Sequence, residues 1–355
     1  MHKRRWSNAP GSSWWWSIPE TCRRGRRRRG APDMVKPLIA AWTAGPFALK
    51  PCHSDAQVHE TRLLDPRALR TFLAVCRANS ISGGARLLNI SQPSVSSAIA
   101  QLEQSVDAHL FDRSRSGITL TAEGRVLLQR AEAMDNLLSG AREELRLTQQ
   151  GISGPLFVGG TPGALVSLLP AAAARLENSI GEFSLHVLER ADAQLATMLR
   201  NGKIELAFVT TGIEPPPPDL EEITYSREPF ALIVGRGNDH LPARLSLRDM
   251  QDMQWVLPEA TGAFRRQVDA LFMSADVALP ENAIRCDSLL TTKAIVRGGR
   301  RVTILPEKVA SAELSIGVLR AIQLEDARVQ RSVGIRKLRH GRLSGLGGKL
   351  LEALG

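Results

Sequence analysis

The fold of this chain is decided by the segment SQPSVSSAIAQLEQSV, which covers residues 91–106. Its apolar residues recur at intervals of four, three and four: Val95, Ile99, Leu102 and Val106. This spacing places them on one face of an α-helix. Ser91 is a favourable N-cap residue, and Pro93 fits the first turn, where its missing N–H costs no hydrogen bond. The segment therefore predicts a helix with one buried stripe.

The outer surface of this predicted helix is short and polar. It carries Gln92, Pro93, Ser94, Ser97 and Gln101. Small hydrogen-bonding side chains near a helix N-terminus can reach base edges in a DNA major groove, and the helix end itself favours phosphate. The alternative is a solvent-exposed Ser/Gln face on an ordinary helical bundle, since such faces are common.

Two shorter helical patterns precede this segment. The first begins at Asp65-Pro66. The second follows a break at Asn79-Ser80, carries Ala85, Leu87 and Leu88, and is followed by a tight connection at Asn89-Ile90. A helix, a short helix, a tight turn and a third helix make the helix-turn-helix plan, in which the last helix enters the major groove.

The sequence LFDRSRSGITLT, residues 110–121, follows and predicts a hairpin that turns through residues 115–117. Arg113 and Arg115 stand at the turn, where guanidinium groups suit phosphate oxygens. We therefore interpret the hairpin as a DNA-contacting wing. His109, just before it, is expected to be structural or solvated.

A long helix is predicted after Thr121, which is a suitable N-cap residue. Its apolar residues keep a heptad spacing: Leu127, Ala131, Met134, Leu138, Ala141 and Leu145. Such a seam predicts a coiled-coil partner and hence a homodimer. The alternative is a helix that packs on its own domain, because the same periodicity serves both purposes.

The C-terminal two-thirds shows two successive β/α alternations, which predict two open sheets flanked by helices. Ligands bind such sheets at the carboxyl ends of strands. The candidate residues are Gly160, Thr161, Pro162, Gly163, Thr210, Thr211, Thr261, Gly262 and Phe264. Hydroxyls and free N–H groups at helix starts favour a small anion such as a carboxylate, although any one threonine has simple N-capping as its alternative.

Several motifs in order resemble the LysR-type transcriptional regulators. They are Phe72-Leu73-Ala74-Val75, residues 85–88, Ser91-Gln92-Pro93, Leu102-Glu103, Leu110-Phe111-Asp112-Arg113 and Leu120-Thr121-Ala122-Glu123-Gly124. The resemblance implies a winged helix-turn-helix, a dimerising linker helix and a two-lobed effector domain like a periplasmic binding protein. It further implies double-stranded operator DNA and a small-molecule effector as partners, and a homodimer or homotetramer that is cytoplasmic and nucleoid-associated.

The chain departs from the family pattern at two places. Gly83-Gly84 stands where the family usually has a larger residue before alanine, and each glycine weakens a helix by roughly 1 kcal/mol relative to alanine. Ser97 occupies a position often held by a long polar residue, so the preferred base sequence does not carry over.

These patterns divide the chain into a tail and three functional segments. The boundaries are 1–62 for a basic, disordered tail, 63–122 for the winged helix-turn-helix, 123–150 for the linker helix and 151–355 for the effector domain. Within the last, one lobe covers about 155–226 and 331–355, and the other about 227–330.

The tail differs in composition from the rest. Residues 1–60 hold eleven Lys and Arg against four Asp and Glu, so +7 of the +10 net charge lies there, with five of the six tryptophans. We expect a disordered arm or a translation start placed too far upstream. Its arginine run gives an alternative function: a ligand-independent architectural protein that grips DNA through phosphate contacts.

The sequence does not support several other classes of protein. No apolar run approaches the ~18 residues of a membrane span. No dinucleotide fingerprint, P-loop, nucleophile elbow or His-x-x-x-His pattern occurs, so we expect no enzyme, cofactor or metal site. The effector region contains Cys286 alone among the four cysteines, which excludes a disulfide switch within that domain.

Overall fold

A computed structural model describes residues 64–114, 117–250, 252–259, 262–326 and 329–355, with backbone alone at Arg113 and Ser114. The tail predicted at 1–62 lies outside the described residues. So do two predicted site residues, Arg115 and Thr261.

The N-terminal part is a small three-helix core with a two-stranded hairpin. Its elements are α1 (Pro66–Ala78), α2 (Ile81–Leu88), α3 (Gln92–Val106), β1 (Phe111–Ser114) and β2 (Gly117–Leu120). Each helix begins as its sequence predicts, because the side chains of Asp65, Ser80 and Ser91 accept hydrogen bonds from the first-turn amides. Phe72, Val95 and Ile99 are fully buried between the helices. This is a winged helix-turn-helix.

The long helix α4 (Ala122–Gln149) follows the hairpin directly. Thr121 is its N-cap residue, and its Oγ1 accepts a hydrogen bond from the Gly124 amide at 2.9 Å. The same hydroxyl donates to the carbonyl of His109, just before the hairpin, at 2.7 Å. The helix start is therefore tied to the hairpin.

The remaining elements form an α/β domain. Its strands are β3 (Ser153–Gly160), β4 (Phe183–Glu189), β5 (Leu206–Thr210), β6 (Leu220–Val234), β7 (Arg244–Leu245), β8 (Trp255–Leu257), β9 (Ala283–Arg285), β10 (Val302–Pro306), β11 (Arg320–Leu324) and β12 (Gln330–Leu338). Its helices are α5 (Pro162–Ile180), α6 (Asp192–Arg200), α7 (Ala263–Ser274), α8 (Leu289–Gly298), α9 (Ser311–Ser315) and α10 (Gly345–Leu354).

The strands follow one path in the order β4-β3-β5-β12-β6-β10-β8-β9, and off this path β11 pairs with β6 while β7 pairs with β11. Strand β6 joins the two halves: its first part pairs with β12, and residues 230–234 pair with β10. After β11 in the second half, β12 returns the chain to the first half beside β5. The predicted fold class, a winged helix-turn-helix and long helix followed by two α/β lobes, is confirmed.

Two elements differ from their sequence predictions. The apolar run at residues 230–234 predicts a strand, but β6 begins ten residues earlier at Leu220, because its first part is a crossing strand that pairs with β12. The Gly, Ser and Pro residues at 151–155 predict a linker, but β3 already begins at Ser153.

Each half has its own core. Trp255 is almost fully buried in the second half and meets Phe272 edge to face, with ring centroids 5.2 Å apart. Among the described residues, no helix is long and apolar enough to cross a bilayer, and no group of His, Cys, Asp or Glu is arranged to hold a metal ion.

Candidate functional site

The N-terminal half of α3 presents a polar surface to solvent. Gln92, Pro93, Ser94, Ser97 and Gln101 are all exposed, while the stripe opposite them is buried. Ser82 on α2 donates to Gln92 Oε1 at 3.1 Å, so the Gln92 amide is held in place at the helix start. The structure thus brings together the five α3 residues that the sequence singles out.

The hairpin beside α3 has the geometry of a wing. Its strands pair antiparallel from Phe111 with Leu120 to Ser114 with Gly117. Arg113 lies on β1 opposite Ile118, and its side chain is outside the described part of the structure, as is all of Arg115.

Gly83 and Gly84 have a packing reason that the sequence alone does not reveal. A Cβ at Gly84 would lie 2.8 Å from Val75 Cγ2 and 3.1 Å from the Val75 backbone nitrogen. The absence of that carbon lets α2 approach α1 closely. The glycines therefore allow α2 to pack closely on α1, although they lower the helix propensity of α2.

The heptad seam of α4 is divided between two environments. Ala131 has no exposed surface and packs in the winged-helix core, with Leu127 and Met134 half-buried against the same core. Leu138 and Leu145 are exposed, at 42% and 67%, and Leu137 beside them at 72%. The assignment of Ala131 to a dimer seam is therefore wrong, because its own domain already covers it.

A cleft between the two halves of the α/β domain encloses about 430 Å³, within the range of small-molecule sites. Six of the predicted residues line it: Thr161, Pro162, Gly163, Thr210, Gly262 and Phe264. Two others do not. Gly160 is buried at the end of β3, where its carbonyl accepts from Arg190, and the Thr211 hydroxyl is paired with Thr224 at 2.7 Å.

The helices α5 and α7 both begin at this cleft. Their N-cap residues are Thr161 and Gly262. Thr161 makes no side-chain capping hydrogen bond within the described part of the chain, and this residue lines the cavity. Two helix starts, one from each half, direct their positive ends toward one space.

The sequence missed a buried arginine in the cleft. Arg331 lines the cavity although only 2% of its surface is exposed. Its Nε donates to Thr210 Oγ1 at 3.2 Å, and its Nη1 lies 3.7 Å from Glu228 Oε2. Burial lowers the pKa of the Arg331 guanidinium to about 10, while Glu228 acts in the opposite direction. The group is therefore a cation at neutral pH.

Other cleft residues were missed as well. They include Thr292 and Thr303, both buried, and the apolar Leu257, Leu305 and Val309. None carries a motif. The only signal is that Leu257 and Leu305 lie at the ends of apolar runs that suit strands, because ligands bind at strand ends.

Two family models match the chain. The model of the bacterial regulatory helix-turn-helix proteins of the lysR family covers residues 66–125, and that of the LysR substrate binding domain covers residues 149–354. This chain belongs to the LysR family. It is accordingly a DNA-binding transcriptional regulator with an effector-binding domain.

Known LysR-family proteins are similar along most of their length. The HTH-type transcriptional regulator GalR of Pseudomonas putida is 25% identical over 282 residues, which cover 79% of this chain and 70% of that protein. A probable hydrogen peroxide-inducible genes activator of Mycobacterium leprae is 28% identical over 250 residues, covering 69% of this chain and 78% of that protein.

Two solved structures share the fold. Full-length CbnR in complex with its target DNA has a TM-score of 0.61 at 21% identity, covering 82% of this chain and 98% of CbnR. LysG of Corynebacterium glutamicum with bound effector Arg has a TM-score of 0.55 at 21% identity, covering 82% of this chain and 96% of LysG.

Proposed function

We propose that this LysR-family regulator binds operator DNA through the exposed α3 face and the wing arginines, and that a small anionic metabolite in the cleft modulates this binding. The working form is a homodimer or homotetramer in the cytoplasm, and the chain has no enzymatic role. The segments 63–122, 123–150 and 151–355 act as DNA-binding domain, linker helix and effector domain.

One observation carries the effector part of this proposal. The starts of α5 and α7 come from different halves of the domain and meet at one cavity. An anion bound there receives donors from both halves and favours the arrangement in which both reach it. The effector-bound LysG structure supports a ligand site in a protein of this fold. Cleft closure would reach the DNA-binding domains through α4.

A peroxide response of the kind named for the Mycobacterium leprae relative is less well supported. A disulfide switch within the effector domain needs two thiols, and this domain has Cys286 alone. A metabolite effector is therefore the better proposal.

The competing function, an architectural protein gripping DNA through the arginine-rich tail, is tested by deleting residues 1–60. We expect sequence preference to survive the deletion and the salt dependence of binding to become less steep. Loss of both affinity and preference in the truncated chain would favour the architectural function.

The cleft is tested with Thr161→Val and, as a matched control, Thr197→Val, an exposed threonine on α6 that does not line the cavity. Small mono- and dicarboxylates are titrated by calorimetry, and operator affinity is measured with and without them. Thr161→Val should weaken a carboxylate that alters DNA binding about ten- to a hundredfold. Unchanged affinity in Thr161→Val would remove this helix start from the site.

A further inference from the structure

Glu228 and Arg331 face each other directly on the two strands that join the halves of the effector domain. They are register partners on β6 and β12. Glu228 lies just before β6 leaves β12 for β10, and Arg331 is the second residue of β12 after the chain returns from the second half. Both are buried, at 1% and 2% exposure. A charged pair therefore sits at the hinge of the domain.

The Arg331 guanidinium has hydrogen-bonding capacity left over. A guanidinium carries five N–H donors. Among the described residues only Nε makes a hydrogen bond, to Thr210, because the 3.7 Å between Nη1 and Glu228 Oε2 is an ionic contact and too long for a hydrogen bond. Because Arg331 lines the cavity and these donors lack a protein acceptor, they favour an acceptor that enters the cleft.

Glu228 contacts residues of both halves of the domain besides Arg331. Its Oε2 accepts from Ser167 on α5 at 3.0 Å, and its Oε1 lies 3.7 Å from Lys308 Nζ in the turn after β10. The carboxylate therefore supplies a fixed counter-charge to Arg331, and its position orients the guanidinium without using up its Nη donors.

The first turn of α5 leaves room for the guanidinium. A Cβ on Gly163 would stand 3.0 Å from Arg331 Nη1 and 3.1 Å from Nη2. Because position 163 is a glycine, the helix start and the guanidinium tips can converge on one point of the cavity. Two independent features for binding an anion thus meet there.

The other charges of the cavity are engaged elsewhere or stand nearer solvent. Arg265 is paired with Asp269 at 2.7 Å, and Asp192 faces Arg336 at 3.4 Å. Arg190, Glu189 and Asp287 are exposed. Apolar side chains make up much of the remaining wall, among them Leu257, Phe264 and Leu305. The buried cation is therefore surrounded by surfaces suited to an apolar ligand body.

We propose that Arg331 pairs with the carboxylate of an effector whose remaining body is apolar, and that it selects this class of ligand over neutral analogues. This inference rests on the proposed function of the cleft and adds the residue and the ligand class. Because Arg331 and Glu228 belong to the two crossing strands, a carboxylate that binds Arg331 acts directly on the hinge.

The test compares a carboxylate with its neutral amide on the full chain. The probes are 3-phenylpropanoate and 3-phenylpropanamide, which differ in charge and hardly in shape. Calorimetry measures both affinities, and operator binding is measured in parallel. The variants are Arg331→Met and Arg331→Lys. The control is Arg200→Met on α6, which removes an arginine that is paired with Asp219 and does not line the cavity.

We expect wild type and Arg200→Met to prefer the carboxylate about ten- to a hundredfold over the amide. Arg331→Met should lose this preference, and Arg331→Lys should keep part of it, because the charge remains while the planar two-donor geometry is lost. If Arg331→Met does not fold, the reduced preference in Arg331→Lys tests the same role of the guanidinium.

Three results would overturn the inference: equal affinity of wild type for both probes, an unchanged preference in the Arg331 variants, or no carboxylate binding to wild type at 10 mM. If the amide binds the cleft and alters operator affinity as well as the acid does, the proposed effector function stands while the role of Arg331 falls. If a carboxylate binds through Arg331 and operator affinity never changes, the role of Arg331 stands while the proposed effector function falls.

Discussion

Asn136 in the middle of α4 donates a hydrogen bond from Nδ2 to the carbonyl oxygen of Asn201, at 2.7 Å, just beyond the end of α6. Asn201 in turn donates from Nδ2 to Glu132 on α4, at 3.2 Å. In the same turn of α4, Asp135 accepts from Arg77 of α1 at 2.9 Å. A single helical turn therefore contacts both the DNA-binding domain and the effector domain.

We expect Asn136→Ala to lower the free energy of unfolding by about 0.5–1.5 kcal/mol, because it leaves the carbonyl of the buried Asn201 without its donor. The measurement is urea unfolding followed by circular dichroism. Asn178→Ala, at an exposed position of α5, is the control and should change little. Equal losses in the two variants would contradict the assigned contact.

The two threonines that precede helices should differ in their effect on stability. Thr121→Ala removes a capping acceptor and should cost about 0.5–2 kcal/mol. Thr161→Ala should cost much less, since Thr161 makes no capping hydrogen bond in the described chain. Denaturant unfolding of both variants provides the comparison, and a comparable cost at Thr161 would mean that its hydroxyl does cap α5.

Substitutions in the DNA-binding surface should separate specificity from affinity. Gln92→Ala or Ser97→Ala should relax the preference for the operator, whereas Arg113→Ala or Arg115→Ala should weaken binding to all sequences and reduce the salt slope by about one. Binding is measured by fluorescence anisotropy on operator and scrambled duplexes.

Gln104→Ala, exposed near the far end of α3, is the matched control for the DNA-binding substitutions. Operator preference untouched by the Gln92 and Ser97 changes would show that α3 does not read the groove.

Leu138→Glu should dissociate the oligomer. In the proposed assembly, the exposed apolar side chains on α4 supply the association, at about 1.5–3 kcal/mol for each one fully buried. A charge at this contact would be costly to bury. Met273→Glu places the same charge on a more exposed apolar residue of α7 and should leave the assembly intact. The measurement is sedimentation velocity. If Leu138→Glu keeps the sedimentation coefficient of the wild type, the coiled-coil contact is wrong.

Cys76 should resist thiol reagents in the folded protein. Burial, and secondarily the charge of Glu132, raise the pKa of its thiol to about 11. Because folding favours the protonated thiol, this contribution to stability is complete at neutral pH and is lost as the pH rises from about 9 toward 11. In a chain whose other three cysteines are serine, modification at pH 8 should be roughly a hundredfold slower than after unfolding in urea. Equal rates would place Cys76 at the surface.

The N-terminal fold follows from sequence because its signals are local. Caps at Asp65, Ser80 and Ser91 and the apolar stripe of α3 each act within a few residues. Whether Ala131 packs against a partner helix or in the core of its own domain could not be predicted in this way, because the same periodicity suits both.

Only some of the cleft residues can be predicted from the sequence in the same way. Strand ends and helix starts pointed to Thr161 and Gly163, since ligand sites of α/β sheets lie there. Arg331 gave no signal, because in the sequence QRSVGIRKL it resembles a solvated charge. Its burial depends on a register partner, Glu228, that lies far back in the chain.

The lack of a side chain at Gly163 sets how closely the start of α5 and the Arg331 guanidinium can approach each other. A methyl group at this position would press against the Arg331 guanidinium from the side of α5, 3.0 Å from Nη1. Alanine at 163 would push the guanidinium away from the start of α5, so a strain with this one substitution should respond more weakly to the metabolite than the parent strain.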